Sequence, residues 1–192
     1  MARPKAFDPD AALDAALEAF WERGYEKTSL DDLIDATGVG RQSLYDTFGD
    51  KRAIYLRALE RYREMTQAGL RNTLAGGASI RDGVRAVLFG IVDEPKARHE
   101  RGCLLLSANL ERDLADQQIA ALVKRNQAEV EAIFASALAD ARRRGDLDEA
   151  KDPAALARFL VVTVQGMRAT ARARSDRQAL GQVARVALAV LD

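Results

Sequence analysis

The chain of 192 residues carries 29 basic and 29 acidic side chains, a hydrophobic fraction of 48% and a single cysteine. No apolar run approaches the roughly 18 residues of a membrane span, no apolar signal segment follows the first methionine, and one cysteine cannot form an internal disulfide. These features exclude an integral membrane protein and predict a soluble protein of the reducing cytoplasm, with no membrane partner.

The composition is rich in Ala, Leu, Arg, Glu and Asp and contains only four prolines, which favours an all-α fold. The first three helices are predicted at about residues 9–23, 29–37 and 40–48. Asp8 with Pro9, and then Ser29, are typical helix starts, and glycines end the first two segments.

A long fourth helix, capped by Asp50, is predicted over residues 50–74. The segment AGGAS at 75–79 follows it and is typical of a flexible joint. Apolar periodicity predicts five further helices, near residues 79–94, 102–114, 116–144, 153–174 and 176–191. The sequence therefore predicts about nine helices: a three-helix domain at 1–51, the connecting fourth helix, and a second helical domain at 75–192.

The second and third helices have the spacing of a helix-turn-helix motif. Gly38 supplies the tight turn, Val39 inserts between the helices, and Leu44 and Phe48 hold the third helix against the core. The side chains that this leaves outside or on the flank are Arg41, Gln42, Ser43, Tyr45 and Asp46.

In such a motif the start of the second helix meets base edges in the major groove of double-stranded DNA. Arg41 can offer two donors to guanine, and Gln42 can pair with adenine. Further candidate contacts to the DNA backbone or groove are Arg3, Lys5, Thr28, Ser29 and Lys51. Residues 1–51 hold six basic and eleven acidic side chains, a net charge of −5, so DNA binding depends on the placement of charges.

Residues 24–51 resemble the N-terminal signature of TetR-type (tetracycline-repressor-like) bacterial transcriptional regulators. The shared residues are Gly24-Tyr25, Thr28-Ser29, Leu33-Ile34, Gly38-Val39, Leu44-Tyr45, Phe48 and Lys51. The resemblance implies a DNA-binding domain joined through the fourth helix to a larger ligand-binding and dimerisation domain. It also implies phosphate contacts by Thr28, Tyr45 and Lys51 and base reading by residues 40–43.

Four positions depart from that signature. Ile34 keeps the shared hydrophobic pair, but it and Thr37 stand where the family usually has alanines. Gly40 replaces the usual serine cap. Asp46 stands where a neutral or basic residue is frequent, so it would repel phosphate or accept a hydrogen bond from cytosine. The operator sequence is left open.

The last two predicted helices are apolar on two sides, whereas a surface helix needs only one apolar stripe. We therefore expect a homodimer with a two-fold interface of four helices. The candidate interface residues are Val161, Gly166, Ala169, Val183, Val186, Ala187, Val190 and Leu191.

The second domain is expected to hold a largely apolar pocket, with a few polar groups, for a small-molecule effector. Its candidate lining residues are Phe89, Val92, His99, Cys103, Leu106, Ser107, Asn109, Phe134, Phe159, Val162, Thr163 and Gln165. Each of these is also compatible with ordinary core packing, because helical spacing predicts both.

His99 is the only histidine, so Ser-His or Cys-His catalysis and histidine-based metal sites lack partners. We expect no enzymatic activity, no metal and no cofactor. Cys103 opens the apolar run CLLLSANL and is either a small buried hydrophobe or a redox or electrophile sensor beside basic residues.

Together these patterns predict a ligand-responsive repressor that binds a palindromic operator as a dimer and is released by a small-molecule effector. Within the same family, an activator or a sensor acting through Cys103 is the alternative. Outside it, a small helical enzyme and a helical protein-interaction module stay open.

Overall fold

The computed structural model of the protein describes residues 7–111 and 116–192, apart from the side chains of residues 109–111. Within these residues the fold is all-α, as predicted, with ten α-helices, a final 3-10 turn and no strand. The helices are α1 (Pro9–Arg23), α2 (Leu30–Thr37), α3 (Arg41–Phe48), α4 (Lys51–Ala75), α5 (Ile80–Asp93), α6 (Lys96–Arg101), α7 (Leu104–Glu111), α8 (Gln117–Arg143), α9 (Pro153–Ala173) and α10 (Arg177–Leu188), and the 3-10 turn is Ala189–Leu191.

The nine predicted helices are present, and α6 is a tenth helix that the sequence analysis did not predict. Its sequence, KARHER, has no apolar stripe, so apolar periodicity does not predict this helix. Its one buried side chain is His99, and helix formation here therefore depends on contacts with distant residues rather than on periodicity.

Helix starts follow the capping residues in the sequence. At seven helix starts, a carboxylate or hydroxyl oxygen of the N-cap residue accepts a hydrogen bond from a backbone N–H of the first turn, which satisfies a donor that the helix itself leaves free. The side chains that do so are Asp8, Ser29, Asp50, Ser79, Asp116, Asp152 and Asp176.

The described residues form two hydrophobic cores. The first is formed by α1–α4 and includes buried residues of α7 and α8, among them Leu104, Leu105 and Ile119. The second is formed by the end of α4 together with α5, α8, α9 and α10. Because α4 and α8 each contribute to both cores, these two helices join the two parts of the protein.

The connection from α4 to α5 is closely packed, although its glycines suggested a flexible joint. A Cβ added to Gly77 would lie 2.5 Å from the backbone nitrogen of Gly83, and one added to Gly83 would lie 2.6 Å from the carbonyl oxygen of Leu74. The glycines thus permit a close approach of two backbones.

Among the described helices, none combines the length and the apolar character that crossing a bilayer requires.

Candidate nucleic-acid interface and internal cavity

A tight turn joins α2 to α3. Gly38 has a left-handed backbone with φ of 67°, and its N–H donates to the carbonyl of Ile34 at 2.9 Å. Val39 follows and is buried, as are Leu33 and Leu44 on the two helices. The turn and these apolar contacts fix α3 against α2 in the manner that the spacing predicted.

Thr37 stabilises the same turn from the end of α2. Its hydroxyl donates to the carbonyl of Leu33 at 2.7 Å and accepts from the N–H of Val39 at 3.2 Å. An alanine at this position would make neither bond. Sequence reasoning missed this role because a threonine inside a helix ordinarily bonds only to the preceding turn.

The outer face of α3 is exposed while its inner side, with Leu44 and Phe48, is buried. Gly40 is the N-cap and provides no side-chain hydrogen bond. The exposed side chains are Arg41, Gln42, Ser43, Tyr45 and Asp46. The structure therefore brings the predicted reading residues together on one surface; we call these five side chains the α3 outer face.

Two of these side chains contact a carboxylate. The Nη2 atom of Arg41 lies 3.4 Å from Oδ1 of Asp31, with both side chains largely exposed. The Nε2 atom of Gln42 donates to Oδ1 of Asp46, one helical turn later, at 2.9 Å. Neither acidic partner was predicted from the sequence.

Lys51 and Ser29 lie at the starts of α4 and α2. The Nζ atom of Lys51 lies 4.4 Å from the centre of the Tyr25 ring, a cation–π contact. The Ser29 hydroxyl accepts from the N–H of Asp32 at 3.1 Å, and the Asp32 carboxylate accepts from the N–H of Ser29 at 2.8 Å. The Ser29 hydroxyl and N–H hold the pKa of Asp32 below its ordinary value of 3.8.

The other three residues predicted to contact DNA do not lie on an exposed part of the described surface. Thr28 is fully buried, and its hydroxyl donates to the carbonyl of Gly24 at 2.6 Å. Arg3 and Lys5 lie outside the described residues.

A cavity of about 400 Å³ lies between α4, α5, α7, α8 and α9. Most of its wall is apolar, with the polar groups gathered on a few side chains. The predicted ligand residues that line it are Cys103, Leu106, Phe134 and Gln165, and Val161, predicted at the dimer interface, lines it as well. Sequence reasoning missed Tyr62, Thr66, Glu94, Asn126, Gln127 and Arg168, which supply much of the polar lining.

Tyr62 and Cys103 meet at the cavity wall. Tyr62 is 2% exposed, and burial, followed by the neighbouring Cys103, raises the pKa of its hydroxyl. Elsewhere on the wall, Nη1 of Arg168 lies 3.2 Å from Oε1 of Glu94. The cavity thus combines an apolar wall, a buried hydroxyl beside a thiol, and an ion pair whose charges compensate each other.

Polar contacts also join α4 to α8 beside the cavity. Gln67, which is buried, donates through Nε2 to Oδ1 of Asn126 at 3.2 Å and to Oε2 of Glu129 at 2.8 Å. The hydrogen bond from Gln67, with the nearby Arg63, holds the pKa of Glu129 below its ordinary value of 4.5.

Other predicted ligand residues lie away from the cavity. Val92 is buried in the second core, Phe89 lies against Arg85, and Thr163 is half-buried. Phe159 and Val162 are exposed on the outside of α9, and the side chain of Asn109 lies outside the described residues.

His99 and Ser107 are buried and bonded to protein groups. The Nε2 atom of His99 lies 2.6 Å from the carbonyl oxygen of Ile91, and its Nδ1 lies 2.7 Å from the hydroxyl of Ser175. Ser107 accepts a hydrogen bond from Arg172. Both side chains therefore connect helices rather than face the cavity.

An apolar face lies exposed along α9 and α10. Val162 and Val186 are 65% and 71% exposed, and Phe159 and Val183 are also solvent-accessible. Of the predicted interface residues, Gly166, Ala169, Val183 and Val186 are exposed, Val190 is half-buried, and Val161, Ala187 and Leu191 are buried. We call Phe159, Val162, Gly166, Ala169, Val183 and Val186 the α9–α10 face.

Trp21 connects α1 to the region around the cavity. Its ring contacts the Tyr62 ring edge-on, with centroids 4.8 Å apart, and the guanidinium carbons of Arg98 and Arg101 lie 3.8 and 4.2 Å from the ring centroid. Its indole N–H donates to the carbonyl of Gly102.

In the described part of the chain, no cluster of three or more His, Cys, Asp or Glu side chains is suited to bind a metal ion.

The α2–α3 turn and the α3 outer face define a helix-turn-helix protein whose second helical bundle contains a cavity. Residues 12–58 match the family described as "Bacterial regulatory proteins, tetR family", and residues 82–187 match "Tetracyclin repressor-like, C-terminal domain". The chain belongs to the tetR family of bacterial regulatory proteins, and it is a transcriptional regulator. The resemblance seen at residues 24–51 is thereby confirmed.

Relatives align along the whole chain. The HTH-type transcriptional regulator YezE of Bacillus subtilis (strain 168), itself described as uncharacterized, is 33% identical, with 100% of both chains covered. The HTH-type transcriptional repressor ComR of Escherichia coli (strain K12) is 33% identical, over 95% of this chain and 88% of ComR. A cysteine mutant of the TetR-family regulator CifR, complexed with 26-bp double-strand operator DNA, is 31% identical, with a TM-score of 0.84 and 100% of both chains covered.

Proposed function

We propose that the protein is a homodimeric cytoplasmic repressor that binds a palindromic operator and is released from it by a small-molecule effector. The α3 outer face carries this proposal, because it presents Arg41, Gln42, Ser43 and Tyr45 to solvent on a helix whose other side is buried. ComR is named a repressor, and the CifR mutant was solved with operator DNA, which supports the same role here.

We assign base reading to Arg41, Gln42 and Ser43, and phosphate contacts to Ser29, Tyr45 and Lys51. Thr28 is assigned a supporting role, because its buried hydroxyl holds the end of α1 immediately before Ser29. Arg3 and Lys5 are assigned to an N-terminal arm that contacts the DNA backbone or a groove.

The α9–α10 face is proposed as the dimer interface. Valines as exposed as Val162 and Val186 are unfavourable in water, and their burial against a second copy removes apolar surface from solvent. A two-fold axis between these helices would set two α3 helices at a fixed spacing, which is what a palindromic operator requires.

The effector site is proposed to be the cavity of about 400 Å³, with Cys103, Leu106, Phe134 and Gln165 in its wall. An effector releases DNA only if it binds more tightly to the conformation with wrongly spaced α3 helices; such coupling is typically about 1–3 kcal/mol. α4 is the proposed lever, because its start carries Lys51 and its middle carries Tyr62, which lines the cavity, and Gln67, which donates to Asn126 of the cavity wall.

We accordingly divide the chain into a DNA-binding unit at residues 1–51, the connecting helix at 50–74 and an effector and dimerisation unit at 75–192. The two family matches, over residues 12–58 and 82–187, support this division.

The decisive experiment is sequencing of genomic DNA captured by the purified full-length protein. We expect enrichment of a few fragments that share a palindromic site, and loss of this enrichment for a Tyr45→Ala variant that remains folded. Wild-type protein that enriches no sequence would overturn the DNA-binding assignment and favour a protein-interaction module.

A second candidate function follows from the position of Cys103. This thiol is partly exposed, lines the cavity and contacts the Tyr62 hydroxyl, so a thiol-reactive effector would reach it there. Treatment with iodoacetamide, which forms a carbon–sulfur bond with loss of iodide, should lower operator affinity in the wild type but not in Cys103→Ser. Equal responses of the two proteins would exclude this second candidate.

A further inference from the structure

Asp46 lies in the middle of the α3 outer face, where a carboxylate is unfavourable near DNA. Phosphates repel it, and protein surfaces that bind DNA gain affinity from basic groups rather than acidic ones. Its contact with Gln42 suggests what it does instead. The two side chains are one helical turn apart, both are exposed, and Nε2 of Gln42 donates to Oδ1 of Asp46 at 2.9 Å.

This hydrogen bond restricts what Gln42 can offer to a base. A glutamine amide has two N–H donors on its nitrogen and an acceptor oxygen. The carboxylate of Asp46 can only accept, so it binds the nitrogen side and fixes which way the amide is turned. One N–H and the carbonyl oxygen remain free for a base edge.

The two remaining groups match adenine and not guanine. Adenine presents an acceptor at N7 and a donor at N6 in the major groove, which pair with one N–H and one carbonyl oxygen. Guanine presents two acceptors, N7 and O6, which would need both N–H donors of the amide. One of these donors is already bound to Asp46, and the carboxylate itself repels a second acceptor.

We infer that Asp46 is a positioning residue that makes Gln42 select adenine over guanine in the operator. This inference rests on the proposed function, since it requires that the α3 outer face enter the major groove. Asp46 has a second effect through its charge, because a carboxylate on this face weakens binding to DNA of any sequence. Asp31, 3.4 Å from Arg41, is a second exposed carboxylate beside a reading residue.

The test is selection of binding sites from a randomised DNA duplex by the full-length wild type and by Gln42→Ala, Asp46→Ala and Asp46→Asn. Gln42→Ala identifies the base pair that Gln42 reads. At that pair we expect the wild type to prefer adenine to guanine by about tenfold. Asp46→Ala should reduce the ratio, because the amide can then turn either way. Asp46→Asn should reduce it less, because the asparagine oxygen still accepts the hydrogen bond although its amide nitrogen can also donate one.

A matched control separates the effect of the Asp46 charge on DNA affinity from its effect on the orientation of Gln42. Asp35→Asn removes an exposed acid of α2 that lies in a groove with α1 residues and Arg101, away from the α3 outer face. Affinity for random-sequence DNA should rise by a similar factor in Asp46→Ala and Asp46→Asn, and by less in Asp35→Asn. Thermal unfolding verifies that each variant is folded.

Several results would overturn the inference. They are an adenine preference that is unchanged in Asp46→Ala, a preference reduced as far in Asp46→Asn as in Asp46→Ala, or a wild-type preference for guanine at the pair that Gln42 reads. If the wild type selects no sequence at all, the proposed function fails first, and that outcome is distinct because it does not depend on any Asp46 variant.

Discussion

The indole N–H of Trp21 donates to the carbonyl oxygen of Gly102 at 3.0 Å, across 81 positions of the chain. This buried bond joins the first helix of the helix-turn-helix domain to the end of α6. The next residue, Cys103, lines the cavity. The DNA-binding helices therefore contact the cavity wall through this short segment, in addition to their connection through α4.

Trp21→Phe should lower the free energy of unfolding by about 1–3 kcal/mol, because it removes one hydrogen bond and part of a buried ring but keeps an aromatic face for the two arginines. The loss stays in this range because the Gly102 carbonyl also accepts from Arg98 at 3.2 Å. Trp21→Ala, which empties the space as well, should cost about 3–5 kcal/mol. Urea unfolding followed by circular dichroism measures both, and a phenylalanine variant as stable as the wild type would show that the bond contributes nothing.

Tyr45→Ala and Lys51→Ala should each weaken binding to every DNA sequence, because we assign both side chains to phosphates rather than bases. A phosphate contact also contributes to the salt dependence, so the slope of log affinity against log salt should become about one smaller in Lys51→Ala. Fluorescence anisotropy with specific and random duplexes measures this. Lys124→Ala, an exposed lysine on α8, is the control and should leave both affinities unchanged.

Arg41→Ala should change the preferred sequence more than the affinity for random DNA. The Arg41–Asp31 pair joins side chains that are 63% and 82% exposed, so it is weak and leaves the guanidinium free to reach a guanine. Binding-site selection with wild type and variant provides the readout. Identical selected sites would contradict the assignment of Arg41 to base reading.

Val162→Asp and Val186→Asp should each convert the proposed dimer into a monomer, since a buried unpaired carboxylate on the α9–α10 face opposes association. Analytical ultracentrifugation measures the mass, and operator affinity should fall together with dimerisation. Gln178→Asp introduces the same charge on another side of α10, so it should remain dimeric. A dimeric Val186→Asp variant would place the interface elsewhere.

Stability should fall in acid as Glu129 takes up a proton. The hydrogen bond from Gln67 and the charge of Arg63 lower the pKa of Glu129 below its ordinary value of 4.5. The unfolded chain therefore binds this proton first as the pH falls, and the contribution is present above about pH 4.5 and lost below it. Glu129→Gln should show a shallower decline of unfolding free energy between pH 5 and pH 3. Glu149→Gln, which changes an exposed carboxyl in the α8–α9 connection, should follow the wild type.

Local signals predicted the helices well because they act within a turn or two of the chain. Asp8, Ser29 and Asp50 cap the helices that the sequence assigned to them, and Leu44 and Phe48 are buried where their spacing placed them. α6 has no such signal, and it was found only in the structure.

The cavity was harder to predict because helical spacing identifies a face but not what the face meets. Phe159 and Val162 share an apolar pattern with true core residues, yet they point outward on α9. Arg168 and Glu94 line the cavity as a compensating pair that no local pattern connects. The bond from Trp21 to Gly102 likewise depends on how the helices pack, and nothing near either residue predicts it.

The contacts of Trp21 also determine which segment of the chain can be transferred as a DNA-binding module to another protein of this fold. Residues 1–51 look like a transferable reading module, yet their first helix is fitted to an acceptor carbonyl and two stacked arginines in residues 98–102. A chimera that fuses this module to another sensor domain would leave Trp21 without those partners. The smallest portable unit for building new genetic switches is therefore the helix-turn-helix domain together with the α6 segment on which it rests.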